Sequence, residues 1–180
     1  MERHADDRDA AQSQSIQRIR NELSSRLRQR SGEIEATIFA RILASGETPE
    51  LEDAEYTAGL KTAIRQAVDL GITSIEQGPE WNPPVPPGMA IQAQRAARSG
   101  VSLDAVLRRY ATGDRIVGEF IVEEADRFPG HVIGQVMKSR GPLVDALMAQ
   151  ASTHDVREFE RMSRSPEKRQ SDLVGERLAG

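Results

Sequence analysis

The feature that most constrains the fold is a helical stripe of apolar residues within residues 99–128. At about 100° per residue, the positions that share one arc with Tyr110 at its centre are almost all apolar. They are Leu103, Val106, Leu107, Gly113, Val117, Phe120, Ile121 and Phe128. The opposite side holds Asp104, Arg108, Arg115, Glu119, Glu123 and Asp126. This pattern predicts a central amphipathic helix that begins after Ser102, a suitable N-cap.

Two acids break the stripe. Asp114 and Glu124 fall inside the apolar arc, where burying an unpaired charge is costly. One interpretation is a ligand pocket into which both acids project, with Tyr110 one turn before Asp114. The other is structural: each acid pairs with Arg95, Arg98 or another helix, or reaches solvent at the edge of the arc. Ten residues of helix span about 15 Å, so the two acids cannot form a catalytic carboxylate pair. Tyr110, Asp114 and Glu124 are therefore the candidate ligand-binding residues, and no catalytic residue is predicted.

The N-terminal part of the chain predicts helices after a polar start. Residues 1–15 lack periodicity and are predicted to be a disordered lead-in. Apolar residues at three- and four-residue steps then predict a helix from Ile16 and a second run from Ile34 to Leu43. Ser31-Gly32 lies between them. The pattern fits two helices or one kinked rod.

The middle of the chain contains a long helix and a proline-rich connector. Thr48-Pro49-Glu50 is a good helix start, and apolar residues then recur until Gly78-Pro79. Residues 78–88 contain five prolines, so this connector cannot be regular helix. We expect Trp81 to be partly buried as an anchor of the connector. A ligand for a proline-recognition domain is the less favoured interpretation.

The last part of the chain predicts three further helices. An alanine-rich helix ends at Gly100, before the central helix. After Pro129-Gly130, residues 132–137 give a short amphipathic segment. Pro142 looks like the first residue of a long helix that reaches Met162, and a final helix covers residues 165–180.

Composition and motifs exclude most chemistry. The chain has no cysteine and three histidines, none at ligand spacing, so we predict no metal site and no cofactor. It lacks GxSxG, GxGxxG, GxxxxGK[ST] and HExxH, so we predict that it is not an enzyme. His131 or His154 as a haem ligand is a disfavoured alternative. A net charge of −4 and 4% aromatic residues disfavour nucleic-acid binding.

The hydropathy pattern predicts a cytoplasmic protein. No apolar run in the chain approaches the length that a membrane span needs. The N-terminal residues 1–15 contain no hydrophobic core of the kind that a signal peptide carries. We therefore predict no membrane partner.

The segment ARSGVSLDAVLRRYATGDRIVGEF, with the terminal RSPEKRQSDLVGERLAG, resembles the N-terminal domain of PucR/CdaR-type bacterial transcriptional regulators. That domain is similar to the N-terminal domain of RsbR-type stressosome proteins, the RsbT co-antagonists. The likeness covers most of the chain from Ile16 to Gly180 and carries no catalytic residues. It implies a helical sensor-like domain over residues 16–164 and a helical linker over residues 165–180, leading to a following domain that this sequence lacks.

The resemblance also implies a fold and a function. The fold would be an all-α helical bundle, for which the non-haem globin arrangement of the stressosome relatives is one form. The function would be that of a cytoplasmic, homodimeric signal-input and dimerisation domain of a transcriptional regulator, which contacts the regulator's other domains and no DNA directly. The alternative is a small-molecule or haem-binding sensor or carrier domain.

Overall fold

The protein is all-helical in the computed structural model, which describes residues 2–45 and 52–153. The helices are α1 (Glu2–Gln29), α2 (Ser31–Leu43), α3 (Ala54–Gln77), α4 (Pro87–Arg98), α5 (Leu103–Glu124) and α6 (Gly130–Ser139). A 3-10 turn, Ala125–Arg127, joins α5 to α6, and residues 141–153 form a further helical stretch, the 141–153 segment. Neither described range contains a β-strand, and the predicted all-α class is confirmed.

Helix α3 shares the centre of the fold with α5, which the sequence predicted to be the one central helix. α3 makes the most extensive contacts, against α4, α1 and α2. α5 packs mainly on α2 and also contacts α1, α3, α4 and α6. The reason is that α3 has its own long apolar stripe. Its buried residues are Tyr56, Leu60, Ala63, Ile64, Val68, Leu70, Ile72, Ser74 and Ile75.

The core has two parts with different side-chain sizes. The larger part joins α1, α2, α3, α5 and α6 through large aliphatic residues, each of which contributes about 1.5–3 kcal/mol when fully buried. Its fully enclosed members include Leu23, Leu27, Ile34, Ile75, Ile116 and Ile121. The smaller part joins α3, α4, α5 and the 141–153 segment. Its buried members are Tyr56, Ala96, Val106 and Ala151.

Several predicted helix ends are confirmed. The Ser102 hydroxyl accepts a hydrogen bond from the Ala105 N–H at 3.2 Å and so caps α5. Gly100 has φ +73° just after α4, and Gly78 has φ +90° at the end of α3. Glycine adopts this left-handed region at little cost, which explains why both helices end there. Arg30 separates α1 from α2, so the chain forms two helices here, and Ser31 and Gly32, the predicted interruption, are the first residues of α2.

Other predicted boundaries need correction. Helix α1 begins at Glu2, so residues 2–15, which the sequence predicts as a disordered lead-in, continue the helix. Alanine, glutamate and arginine are good helix formers, which favours helix there without an apolar stripe. Residues 11–15 are exposed and lie outside the core.

Two further helix ends differ from the prediction. Helix α3 begins at Ala54, where the Asp53 carboxylate accepts hydrogen bonds from the Glu55 and Tyr56 N–H groups at 2.8 and 3.3 Å. Thr48-Pro49-Glu50, the predicted start, lies outside the described residues, as does residue 154 onward. Helix α5 ends at Glu124 rather than near Phe128. A 3-10 turn follows it, and Phe128, which precedes Pro129, is extended as a residue before proline must be.

The proline-rich connector between α3 and α4 is non-helical, as predicted. Trp81 is half-buried, as expected, and its backbone N–H donates to the Gly78 carbonyl at 3.2 Å. Within the described ranges, no helix has an apolar stretch long enough to cross a bilayer.

Candidate functional site

A cavity of about 110 Å³ lies between α2, α3, α4, α5 and the 141–153 segment. Its wall is mainly aliphatic. The cavity arises because small residues of three helices face one another, among them Ala63 and Ala67 of α3, Ala93 of α4 and Gly113 of α5. The polar side chains in the wall are Tyr56, Ser74, Gln92, Arg109, Tyr110, Asp114 and Arg140.

The Asp114 carboxylate pairs with Arg140, which follows α6. The Arg140 Nη2 donates hydrogen bonds to Asp114 Oδ1 and to the Asp114 backbone carbonyl. The Arg140 side chain is only 8% exposed, whereas that of Asp114 is 38% exposed. Burial lowers the pKa of Arg140, and the Asp114 carboxylate opposes that shift. Neither Arg95 nor Arg98, the candidate partners named from the sequence, pairs with Asp114. Arg95 pairs with Glu55 instead, at 2.7 Å.

The Asp114–Arg140 ion pair also borders the surface. Both residues line a shallow groove between α5 and α6, together with Gly118, Val122 and Met137. The ion pair therefore lies between the inner cavity and this groove, and it forms part of the wall of each.

Tyr110 lies one turn before Asp114 and faces the same cavity. The hydrogen bonds within the described residues do not include one from its hydroxyl, so the expected bond to Asp114 is absent there. Burial raises the pKa of Tyr110 to about 12, so its phenol is protonated at neutral pH. The neighbouring Arg109 donates to the Tyr56 hydroxyl at 2.8 Å and fixes that second ring at the cavity wall.

Glu124 lies at the other end of α5, away from the cavity. Its side chain is 10% exposed and has three arginines nearby. The Arg30 Nη1 donates to Glu124 Oε1 at 3.5 Å, and Arg127 and Arg26 lie 3.4 and 3.9 Å from Glu124 Oε2. Arg30 also contacts the Phe120 ring at 4.3 Å from its centroid. This cluster clamps the corner between α1 and α2 onto the end of α5.

The structure thus brings Tyr110 and Asp114 together at one cavity and separates Glu124 from them. Sequence reasoning missed Arg140, although a signal for it existed. Val132, Ile133 and Val136 form the buried stripe of α6, and Arg140 follows in the same helical register. A charged residue in the register of an apolar stripe is the same anomaly that identified Asp114.

The described residues contain no group of three or more His, Asp or Glu side chains placed to hold a metal ion. His131 is exposed on α6 and is not among the cavity residues. His154, the other candidate haem ligand, lies outside the described residues. The geometry therefore offers no support for the haem alternative.

A family model described as the N-terminal domain of the RsbT co-antagonist protein rsbRD matches residues 32–170. This range includes the cavity and both residues of the Asp114–Arg140 ion pair. No curated protein and no solved structure matches the chain.

Proposed function

The chain belongs to the RsbT co-antagonist N-terminal domain family, and from that premise we propose that it is a cytoplasmic signal-input and dimerisation domain of a transcriptional regulator. The family is one of regulatory signalling domains and is not a known enzyme family. The affiliation with PucR/CdaR-type regulators is part of the proposal, as are the other domains of a full-length regulator as partners. A non-haem globin-like arrangement of the helices is a further part of it.

The position of the cavity supports the signal-input part of the proposal. Leu143, Val144 and Leu147 of the 141–153 segment form part of the cavity wall. A molecule that enters or leaves the cavity therefore changes the packing of the segment that follows α6. A ligand that prefers one position of this segment shifts the population towards it, which is the physical requirement for a sensor.

The exposed apolar residues support the dimerisation part. Val122 of α5 is 58% exposed and Met137 of α6 is 39% exposed, and both line the groove between these helices. In our proposal the groove packs against a second copy of the chain around a two-fold axis, which requires one patch to complement itself.

Light scattering on the 180-residue chain tests this dimer. We expect a mass twice 19.8 kDa at tens of micromolar. Val122→Lys should lower the mass to that of the monomer, because a lysine would lose hydration in the interface. Ile91→Lys is the matched control, since Ile91 is 54% exposed on α4, away from the groove. A monomeric wild-type chain would contradict the dimer, and equal effects of the two variants would contradict its location.

A small-molecule sensor or carrier is the second candidate function, and the cavity is the observation that favours it. Tyr110 and Asp114 are its proposed binding residues. We assign no ligand contact to Glu124 in this function, because three arginines already surround its carboxylate.

A further inference from the structure

We propose that the cavity binds a small, uncharged, mainly apolar molecule with one hydrogen-bond acceptor, and that the Tyr110 hydroxyl donates to this acceptor. This inference rests on the proposed signal-input function and gives the chemical class of the signal.

The volume of the cavity limits the size of the molecule. A cavity of about 150 Å³ in a protein core holds one benzene molecule. The present cavity measures about 110 Å³. The expected ligand is therefore a compact molecule of at most about six heavy atoms.

The charges around the cavity favour an uncharged molecule. The Asp114 carboxylate already neutralises the guanidinium of Arg140. Arg109 is engaged by the Tyr56 hydroxyl. The rest of the wall is mainly aliphatic, so a charged ligand would lose its hydration and would have to break an existing ion pair to replace it.

The Tyr110 hydroxyl provides the polar contact. It lines the cavity, and the hydrogen bonds within the described residues leave it without an acceptor. The Tyr110 side chain is half-buried, and its hydroxyl can donate to a ligand carbonyl or ether oxygen in the cavity. The ring of Tyr110 packs among Tyr56, Ala96, Val106 and Ala151, which holds the hydroxyl in place.

Three probes of one branched shape separate the possible ligand classes. They are 3-methyl-2-butanone, 2,3-dimethyl-1-butene, in which a methylene replaces the carbonyl oxygen, and isobutyrate, which carries a charge. Each is titrated into the 180-residue chain, and amide chemical shifts of the cavity residues report binding. We expect the ketone and the alkene both to bind, with a hydrogen bond to Tyr110 in the ketone complex alone, and isobutyrate to bind most weakly because its charge would lose hydration.

Two variants test the contacts. Tyr110→Phe removes the hydroxyl alone and should reduce ketone affinity about fivefold to tenfold while alkene affinity is unchanged. Gly113→Leu fills the cavity, because a Cβ there would meet only Ile38 Cδ1, at 3.9 Å, and binding of both probes should be lost.

Three results would overturn the inference: no shifts at the cavity residues with the ketone, isobutyrate binding as tightly as the ketone, or equal ketone affinity for wild type and Tyr110→Phe. Light scattering on the same samples reports the oligomeric state separately. Failure of the proposed dimer is therefore distinguishable from failure of the ligand class.

Discussion

The two partners of the Asp114–Arg140 ion pair differ in burial, so their removal should have different costs. Asp114→Ala leaves the guanidinium inside the protein, where the side chain of Arg140 is 8% exposed. Of the two acceptors that residue 114 offers Arg140, only the uncharged backbone carbonyl then remains. Arg140→Met instead leaves a carboxylate that water reaches, because the Asp114 side chain is 38% exposed.

These differences set the expected free energies of unfolding. Removal of one partner of a fully buried ion pair costs about 3–5 kcal/mol. The partial hydration of Asp114 and the retained carbonyl reduce this, so we expect a loss of about 2 kcal/mol for Asp114→Ala. Arg140→Met also removes the cost of burying the guanidinium and fills its space, so its loss should be below about 1 kcal/mol. The double variant should lose as much stability as Arg140→Met alone. The two single effects therefore do not add, and the coupling energy between the two residues is about 2 kcal/mol.

Urea unfolding of the four proteins, followed by circular dichroism, measures these free energies. In thermal melts, the loss for Asp114→Ala corresponds to a fall in Tm of about 4–8 °C for a chain of this size. The reasoning is refuted if Arg140→Met is as destabilising as Asp114→Ala. It is also refuted if the effects of the single variants simply add in the double variant.

Three other predictions follow from local geometry. Gly100→Ala should lower the free energy of unfolding by about 1 kcal/mol or more, because residue 100 has a left-handed φ of +73°. Gly32→Ala should be neutral or stabilising, because a Cβ at residue 32 would meet open space. The midpoints of urea unfolding compare the two variants. The hydrogen bond from Arg30 holds the pKa of Glu33 below its ordinary value of 4.5. The stability that this pair contributes is therefore present above pH 4.5 and is lost as pH falls through the lowered pKa of Glu33. Glu33→Gln should flatten that part of the pH–stability curve. Burial raises the pKa of Tyr110 to about 12 from 10.0, so stability should fall as pH rises above 10.0. A tyrosinate absorbance titration should lose a transition near pH 12 in Tyr110→Phe.

The sequence predicted those parts of the fold that local rules control. The apolar stripe of α5, the cap at Ser102 and the glycine ends at Gly78 and Gly100 depend on residues within one or two turns. The sequence offers two good local signals for the start of α3, Thr48-Pro49-Glu50 and Asp53. The prediction took the first, whereas Asp53 is the N-cap of α3 in the structure. Local rules rank possible helix starts, but tertiary packing chooses among them.

The cavity could not be predicted from the sequence. The cavity forms where small side chains of α3, α4 and α5 face one another and leave space unfilled. The sequence of any one helix does not show which residues of the other helices it faces. Tyr110 and Asp114 were found because they are anomalies within one helix. Arg140 had a similar signal on α6, but its pairing with Asp114 could not be predicted, because the two residues lie 26 positions apart and only the packing of α6 on α5 brings them together.

Asp114 and Glu124, the two acids within the apolar arc of α5, differ in how firmly their contacts hold them. Glu124 is enclosed by Arg26, Arg30 and Arg127, so loss of one contact leaves two others. The Asp114 side chain has Arg140 as its ion-pair partner within the described residues, and that pair borders both the cavity and the groove. Glu124 therefore anchors the C-terminal end of α5, while Asp114, in the middle of the helix, is the acid whose packing a molecule in the cavity would change in the proposed signal-input function.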